Sequence, residues 1–304
     1  MSEQSTDRPI LALLVRIAGI VGFALMAALI KLASARGIHL AEIIFWRQVV
    51  PIPILLAWAL RNGGVETLAT KRPKAHVVRA FYGIAGMLCN FGAVIMLPLA
   101  EAQTINFSAP IFAVLLSIVL LKESVGVWRW SAVLAGFAGI VVIAQPGGGH
   151  VPLFGAAVAL GAAFMIALIS IQIRDLSRTD SPLAIVFWFS AASVTVLAPA
   201  LLFVGTPLTG EQWLILLGTG IAGTVGQTLI TTALRFGPVS SVVVMDYSNI
   251  VWATLLGWLV FATVPPYTTW LGAPLVIGAG IVIAWREHAL GLRRRSAVGQ
   301  PTGT

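Results

Sequence analysis

The chain has 304 residues, of which 58% are hydrophobic and 10% charged, with a mean hydropathy of +0.95. A soluble domain carries roughly 25% charged residues, so this composition excludes a water-soluble globular enzyme and places the chain in lipid. The net charge of +8 does not point to nucleic acid, because the basic residues stand at the ends of apolar runs and are not interleaved with aromatics on one face. The single cysteine, Cys89, rules out an internal disulfide framework and any CxxC metal or redox motif.

In chain order, residues 1–9 form a polar leader, and an apolar run follows over 10–35. Ala33, Ser34 and Ala35 resemble a signal-peptidase site, but the run exceeds the roughly 7–15 residues of a signal peptide's apolar core and is taken as a first membrane span. Further apolar runs cover 40–60, 77–97, 103–121, 128–145, 152–171, 183–204, 213–234, 239–261 and 268–285. Each approaches the roughly 20 residues a spanning helix needs. The expected fold is therefore an all-α polytopic membrane protein with ten transmembrane helices.

At one constant offset the chain matches itself: Pro98 pairs with Pro238, Leu115 and Leu116 with Leu255 and Leu256, Trp130 with Trp270, Gly83 with Gly223 and Gly86 with Gly226. This register indicates a duplicated unit, with a first repeat over 10–146, a second over 152–287 and a basic tail over 288–304. A unit that crosses the membrane an odd number of times delivers its copy upside down. Two five-helix units are therefore expected as inverted repeats, which bind substrate near the bilayer midplane and alternate between inward and outward states. With both termini cytoplasmic, most of the 19 Lys and Arg, Arg16 among them, fall on the cytoplasmic side, as the positive-inside rule requires.

The segments LLKESVGVWRWSAVLAGFAGIVVIAQP (120–146), LSRTDSP (176–182), GTVGQTLITTALRFGP (223–238) and DYSNIVWATLLGWLVF (246–261) resemble the EamA branch of the drug/metabolite transporter superfamily. The resemblance covers nearly the whole chain. It implies an inner-membrane permease for a small molecule, closest in pattern to bacterial riboflavin and S-adenosylmethionine transporters, with metabolite exporters nearby. It also implies a glutamate at the end of the ninth span, matching Glu123 in the first half; this chain has Thr263 there.

The candidate substrate-binding residues centre on Asp246, a carboxylate inside an apolar span, which is costly unless it faces a cavity or a partner. It is suited to attract a cationic or hydrogen-bond-donating group or to carry a coupling proton. Asn106 is its repeat partner, Asn249 adds a polar group in the same span, and Gln103 and Gln227 add others in the spans 103–121 and 213–234; singly, each is explained by interhelical hydrogen bonding. Tyr247 and Trp252 are candidate platforms for a flat ring, whereas Trp258 reads as core. Arg47, about two turns into the second span, either holds an anionic or carbonyl-rich group or snorkels to the headgroups.

Other motifs carry nothing. The GTGIAG of residues 218–223 matches a dinucleotide fingerprint but lies in a membrane span, where close helix packing explains it. No phosphate-binding loop of the GxxxxGK[ST] type is present, the four histidines lack metal-ligand spacing, and no catalytic set assembles. The expectation is a transporter, not an enzyme, with no cofactor or metal. Its partners would be a small-molecule substrate and the lipid bilayer, with no nucleic acid; a homodimer is compatible with the sequence. Riboflavin uptake leads, S-adenosylmethionine transport and export of amino-acid-like metabolites follow, and a receptor or structural subunit is the alternative of a different class.

Overall fold

A computed structural model describes residues 9–121, 126–145, 152–233, 236 and 244–298, and all its regular structure is helical. In order these are α1 (Pro9–Ala35), α2 (Leu40–Val49), α3 (Pro51–Arg61), a short 3-10 turn (Val65–Leu68), α4 (Pro73–Met96), α5 (Leu99–Asn106), α6 (Ala109–Leu121), α7 (Val127–Ala144), α8 (Leu153–Leu176), α9 (Pro182–Val204), α10 (Gly210–Ala233), a 3-10 segment (Val244–Ser248), α11 (Asn249–Phe261) and α12 (Tyr267–Val298). The leader up to residue 8, Glu123 and residues 299–304 lie outside the described residues.

The element starts follow local chemistry. Pro51, Pro73 and Pro182 stand at first helical positions, where the missing N–H costs nothing. Ser181 caps α9 by accepting from the Ala184 N–H at 3.1 Å. Among the described residues eight helical segments are long and apolar enough to cross a membrane: 10–35, 40–61, 73–96, 99–119, 153–173, 182–204, 210–233 and 267–285. A ninth, Trp130–Ala144, is shorter, and α11 has 13 residues. Two of the expected spans are thus each built from two helices, α2 with α3 and α5 with α6.

The outside of the bundle is as apolar as its inside, as lipid requires. Leu202 and Phe203 are 85% and 88% exposed, and Trp258, expected in the core, is also exposed. The buried positions are rich in alanine, with isoleucine beside it, because helices in lipid associate by close packing and not by hydrophobic transfer.

Packing between the two halves is reciprocal. Helix α1 of the first half lies along α10 of the second, and α4 lies along α8. Both pairs are antiparallel: Gly19 faces Gly226 and Ile230 whereas Leu29 faces Gly218, and Gly86 faces Ile169 whereas Leu97 faces Gly155. The equivalent helices α7 and α12 also pack antiparallel, with Gly136 against Ala279 and Gly139 against Gly272. A Cβ on Gly272 would lie 2.5 Å from the Gly139 carbonyl oxygen, and one on Gly22 would come within 3.0 Å of the Gly226 Cα. The GTGIAG glycines serve the same purpose, Gly220 receiving Val50 and Gly223 receiving Met26.

Each end of this arrangement is tied. At one, Asp180 in the α8–α9 turn accepts from Thr70 Oγ1 (2.5 Å) and His76 Nε2 (2.6 Å), Arg72 pairs with Asp175 (2.8 Å), and Ser181 donates to the Thr67 carbonyl (3.0 Å). Burial alone would raise the Asp180 carboxyl, but hydrogen bonds from Thr70, His76 and Thr179, with the imidazole charge, outweigh it and hold the carboxyl below its ordinary range. At the other end Arg36 pairs with Glu211, and Gln212 donates to the Arg36 carbonyl (2.9 Å).

Candidate functional site: a cavity between two helix breaks

Helix α5 stops at Asn106, Phe107 and Ser108 form a turn, and α6 restarts at Ala109. The Ser108 N–H and hydroxyl both return to the Ile105 carbonyl, at 3.0 and 2.7 Å, and Pro110 at the second position of α6 disfavours a continuous helix through Ala109. At the repeat-equivalent place in the second half, Asp246, Tyr247 and Ser248 form the end of a 3-10 segment, and α11 starts at Asn249. Helices α6 and α11 are both 13 residues long. Their N-terminal ends arrive at one cavity.

The cavity measures about 430 Å³ and is walled by α1, α4, the two breaks and single residues of α8 and α10, within the size range of small-molecule sites. Five of the eight predicted site residues line it: Asp246, Tyr247, Asn249, Asn106 and Gln103. The two halves touch there. Asn249 Nδ2 donates to Gln103 Oε1 at 3.0 Å, and the Phe107 and Tyr247 rings meet with centroids 5.0 Å apart. Asn106 Nδ2 donates to Asn90 Oδ1 at 2.7 Å. Asn106 Oδ1 and Asn249 Oδ1 are buried without a hydrogen-bond partner.

The structure does not bring Arg47, Gln227 or Trp252 to this cavity. Arg47 sits behind the wall: its Nη1 donates to Gln48 Oε1 at 2.6 Å, its Nε and Nη1 approach the sulfurs of Met26 and Met87, and its guanidinium lies 5.5 Å from the ring of cavity-lining Phe91. Gln227 is exposed on the outside of the bundle, because its neighbour Gly226 is the residue that faces α1 and one helical step turns the side chain by about 100°. Trp252 is half-buried in α11, away from the cavity.

The residue that sequence reasoning missed is Arg16. Counted there as a cytoplasmic charge, it lies inside α1 on the cavity wall, 5% exposed. Its Nε and Nη2 donate to Asp246 Oδ1 (2.7 Å) and Oδ2 (2.5 Å), and its Nη1 donates to the Ile230 carbonyl of α10 (3.0 Å). This is the bidentate geometry in which arginine holds a carboxylate most firmly. Its depth in an apolar run was the available signal. The Lys31 ammonium donates to the Val94, Ile95 and Leu97 carbonyls at the end of α4, a favoured place for a cation. Glu101, which fell between two apolar runs, is fully buried in α5 and accepts from Thr269 Oγ1 at 3.2 Å. Among the described residues no group of three or more His, Cys, Asp or Glu is placed to hold a metal ion.

A family model described as EamA-like transporter family matches residues 10–145 and 153–285. The chain belongs to this family. As an EamA-family member it has the two-repeat polytopic membrane fold and is a membrane transporter. It is 28% identical over 283 residues to a riboflavin transporter of Vibrio cholerae, covering 91% of this chain and 93% of that one. To the pseudopaline exporter CntI of Pseudomonas aeruginosa it is 31% identical, covering 86% and 92%. An S-adenosylmethionine uptake transporter of Rickettsia felis is 24% identical over 82% of this chain and 84% of its own. A solved crystal structure superposes with a TM-score of 0.59 at 22% identity, covering 90% of this chain and 98% of that one, and shares the fold.

Proposed function

We propose that this EamA-family protein is a secondary transporter that takes up a small, uncharged, flat organic metabolite, riboflavin being the best reading, by alternating access across ten spans arranged as two inverted five-span repeats. The observation that carries the proposal is that two helix breaks at equivalent positions open on one cavity, apolar over most of its wall, whose only charges among the described residues neutralise each other. Discontinuous helices meeting between repeats are the usual construction of a transport site.

The inverted arrangement is supported by the antiparallel contact of α7 with its repeat equivalent α12. In that topology the α8–α9 turn and the start of α4 share the cytoplasmic face with both termini, in a bacterial inner membrane. Riboflavin presents carbonyl groups, an imide N–H and a ribityl chain to hydrogen-bonding amides, and a planar ring system to aromatic faces. Asn90, Gln103 and Asn249 supply the amides, with Phe107 and Tyr247 as faces. S-adenosylmethionine carries a sulfonium charge and would ask for an unpaired carboxylate, whereas Asp246 is engaged by Arg16 on both oxygens.

The test is uptake of radiolabelled riboflavin and, separately, S-adenosylmethionine into liposomes containing the purified protein, with and without an imposed proton gradient. Saturable riboflavin uptake is expected. Saturable uptake of S-adenosylmethionine with none of riboflavin would overturn the substrate reading, and movement of neither would overturn uptake of both compounds.

A further inference from the structure

Arg16 and Asp246 are the only charged side chains on the cavity wall among the described residues. Their geometry is unequal. The guanidinium is buried and fixed by three hydrogen bonds to two elements, while the Asp246 side chain remains 34% exposed toward the cavity. Arg16 cannot withdraw easily, because α1 is held against α10 at the close Gly19, Gly22 and Gly226 crossing one turn further on. Both Asp246 oxygens already accept from Arg16, so a cation entering the cavity meets a neutralised pair and not a free carboxylate. An uncharged ligand loses nothing by that pairing, and it meets a wall that carries the amides of Asn90, Gln103 and Asn249.

We propose that Arg16 is a specificity-determining residue of the site: by occupying both oxygens of Asp246 it reserves the cavity for uncharged ligands, and a chain lacking its guanidinium binds flat monovalent organic cations instead. The inference rests on the cavity being the ligand site. No second residue substitutes for Arg16, since its repeat equivalent is Ala156, buried in α8 against α4. Specificity here is a repulsive device as much as an attractive one: the charge that rejects cations is the same one that makes the carboxylate tolerable in lipid.

The experiment is a fluorescence titration of the purified full-length protein with ethidium, a flat monovalent cation. The wild type is expected to bind it weakly, Arg16→Gln at least tenfold more tightly, and the double variant Arg16→Gln, Asp246→Asn as weakly as wild type. Equal ethidium affinity of Arg16→Gln and wild type overturns the proposal, as does tight binding that survives in the double variant. If Arg16→Gln does not fold, Asp246→Asn leaves the guanidinium free. That variant is expected to bind flavin mononucleotide, an anion, at least tenfold more tightly than wild type does, and an unchanged affinity overturns the proposal equally. Failure of wild type to move riboflavin would count against the substrate reading alone, because neither titration depends on riboflavin.

Discussion

The two helix breaks stand at equivalent places in the two halves and satisfy their polar residue in different ways. In the first, Asn106 bonds the neutral amide of Asn90 on α4. In the second, Asp246 takes both hydrogen bonds from Arg16 on α1, and Ile230, at the position equivalent to Asn90, offers only its backbone carbonyl to that arginine. Two neutral amides can be separated and resolvated at small cost. An ion pair at membrane depth cannot lose one member without leaving a charge exposed to a poor solvent. The first break is therefore a neutral packing contact, and the second is where chemistry and stability are joined.

The sharpest way to break this comparison is to neutralise each break in turn. Asp246→Asn is expected to lower riboflavin uptake more than tenfold and to reduce the melting temperature of the detergent-solubilised protein. Removing one member of a buried ion pair costs about 3–5 kcal/mol, and the loss here should fall below that because Asp246 faces the cavity. If Asp246→Asn behaves like Asn106→Ala, the distinction fails. Next in size, the double variant Arg16→Met, Asp246→Leu should recover about 1–3 kcal/mol relative to the sum of the single losses, without recovering uptake. An additive double-mutant cycle would mean that the pair is not coupled. Asn106→Ala should cost only about 0.5–1.5 kcal/mol in the same melts and leave uptake within a fewfold of wild type.

How far the sequence reaches is clear from these residues. Hydropathy, run length and self-similarity made the helical two-unit plan legible, and a carboxylate inside an apolar run marked Asp246. Depth along the chain was legible too. Direction was not: Arg47 and Gln227 lie within their spans as expected, but one points at methionine sulfurs behind the wall and the other outward. Which face of a helix meets the cavity depends on where its neighbours pack, and in a span that is apolar all round no periodicity reveals it. Arg16 was missed for the same reason, since only the contact of α1 with α10 and the 244–248 segment turns a charge near a helix end into part of the site. The breaks left faint local signals in Pro110 and in the polar run from Asp246 to Asn249.

The two ends of the molecule offer a gentler version of the comparison. Asp180 is buried and its carboxyl is held below the ordinary Asp value of about 3.9. Its contribution is therefore fully present above that value and lost as pH falls through the lowered one. Asp180→Asn should melt below wild type at neutral pH, and the gap should close as the pH is taken below about 4; a gap independent of pH would show that the contacts of Asp180 do not need its charge. At the opposite end Arg36 and Glu211 are exposed, and Arg36→Ala should change stability by less than about 1 kcal/mol, with any effect shrinking at high salt.

The most direct measurement is substrate counterflow. Liposomes loaded with unlabelled riboflavin and containing wild type, Asn106→Ala or Asp246→Asn would be diluted into labelled riboflavin, with the amount of folded protein in each preparation checked by size-exclusion chromatography. The account predicts transient accumulation of label with wild type and Asn106→Ala and none with folded Asp246→Asn. Equal accumulation with all three would contradict the claim that the charged break forms the transport site.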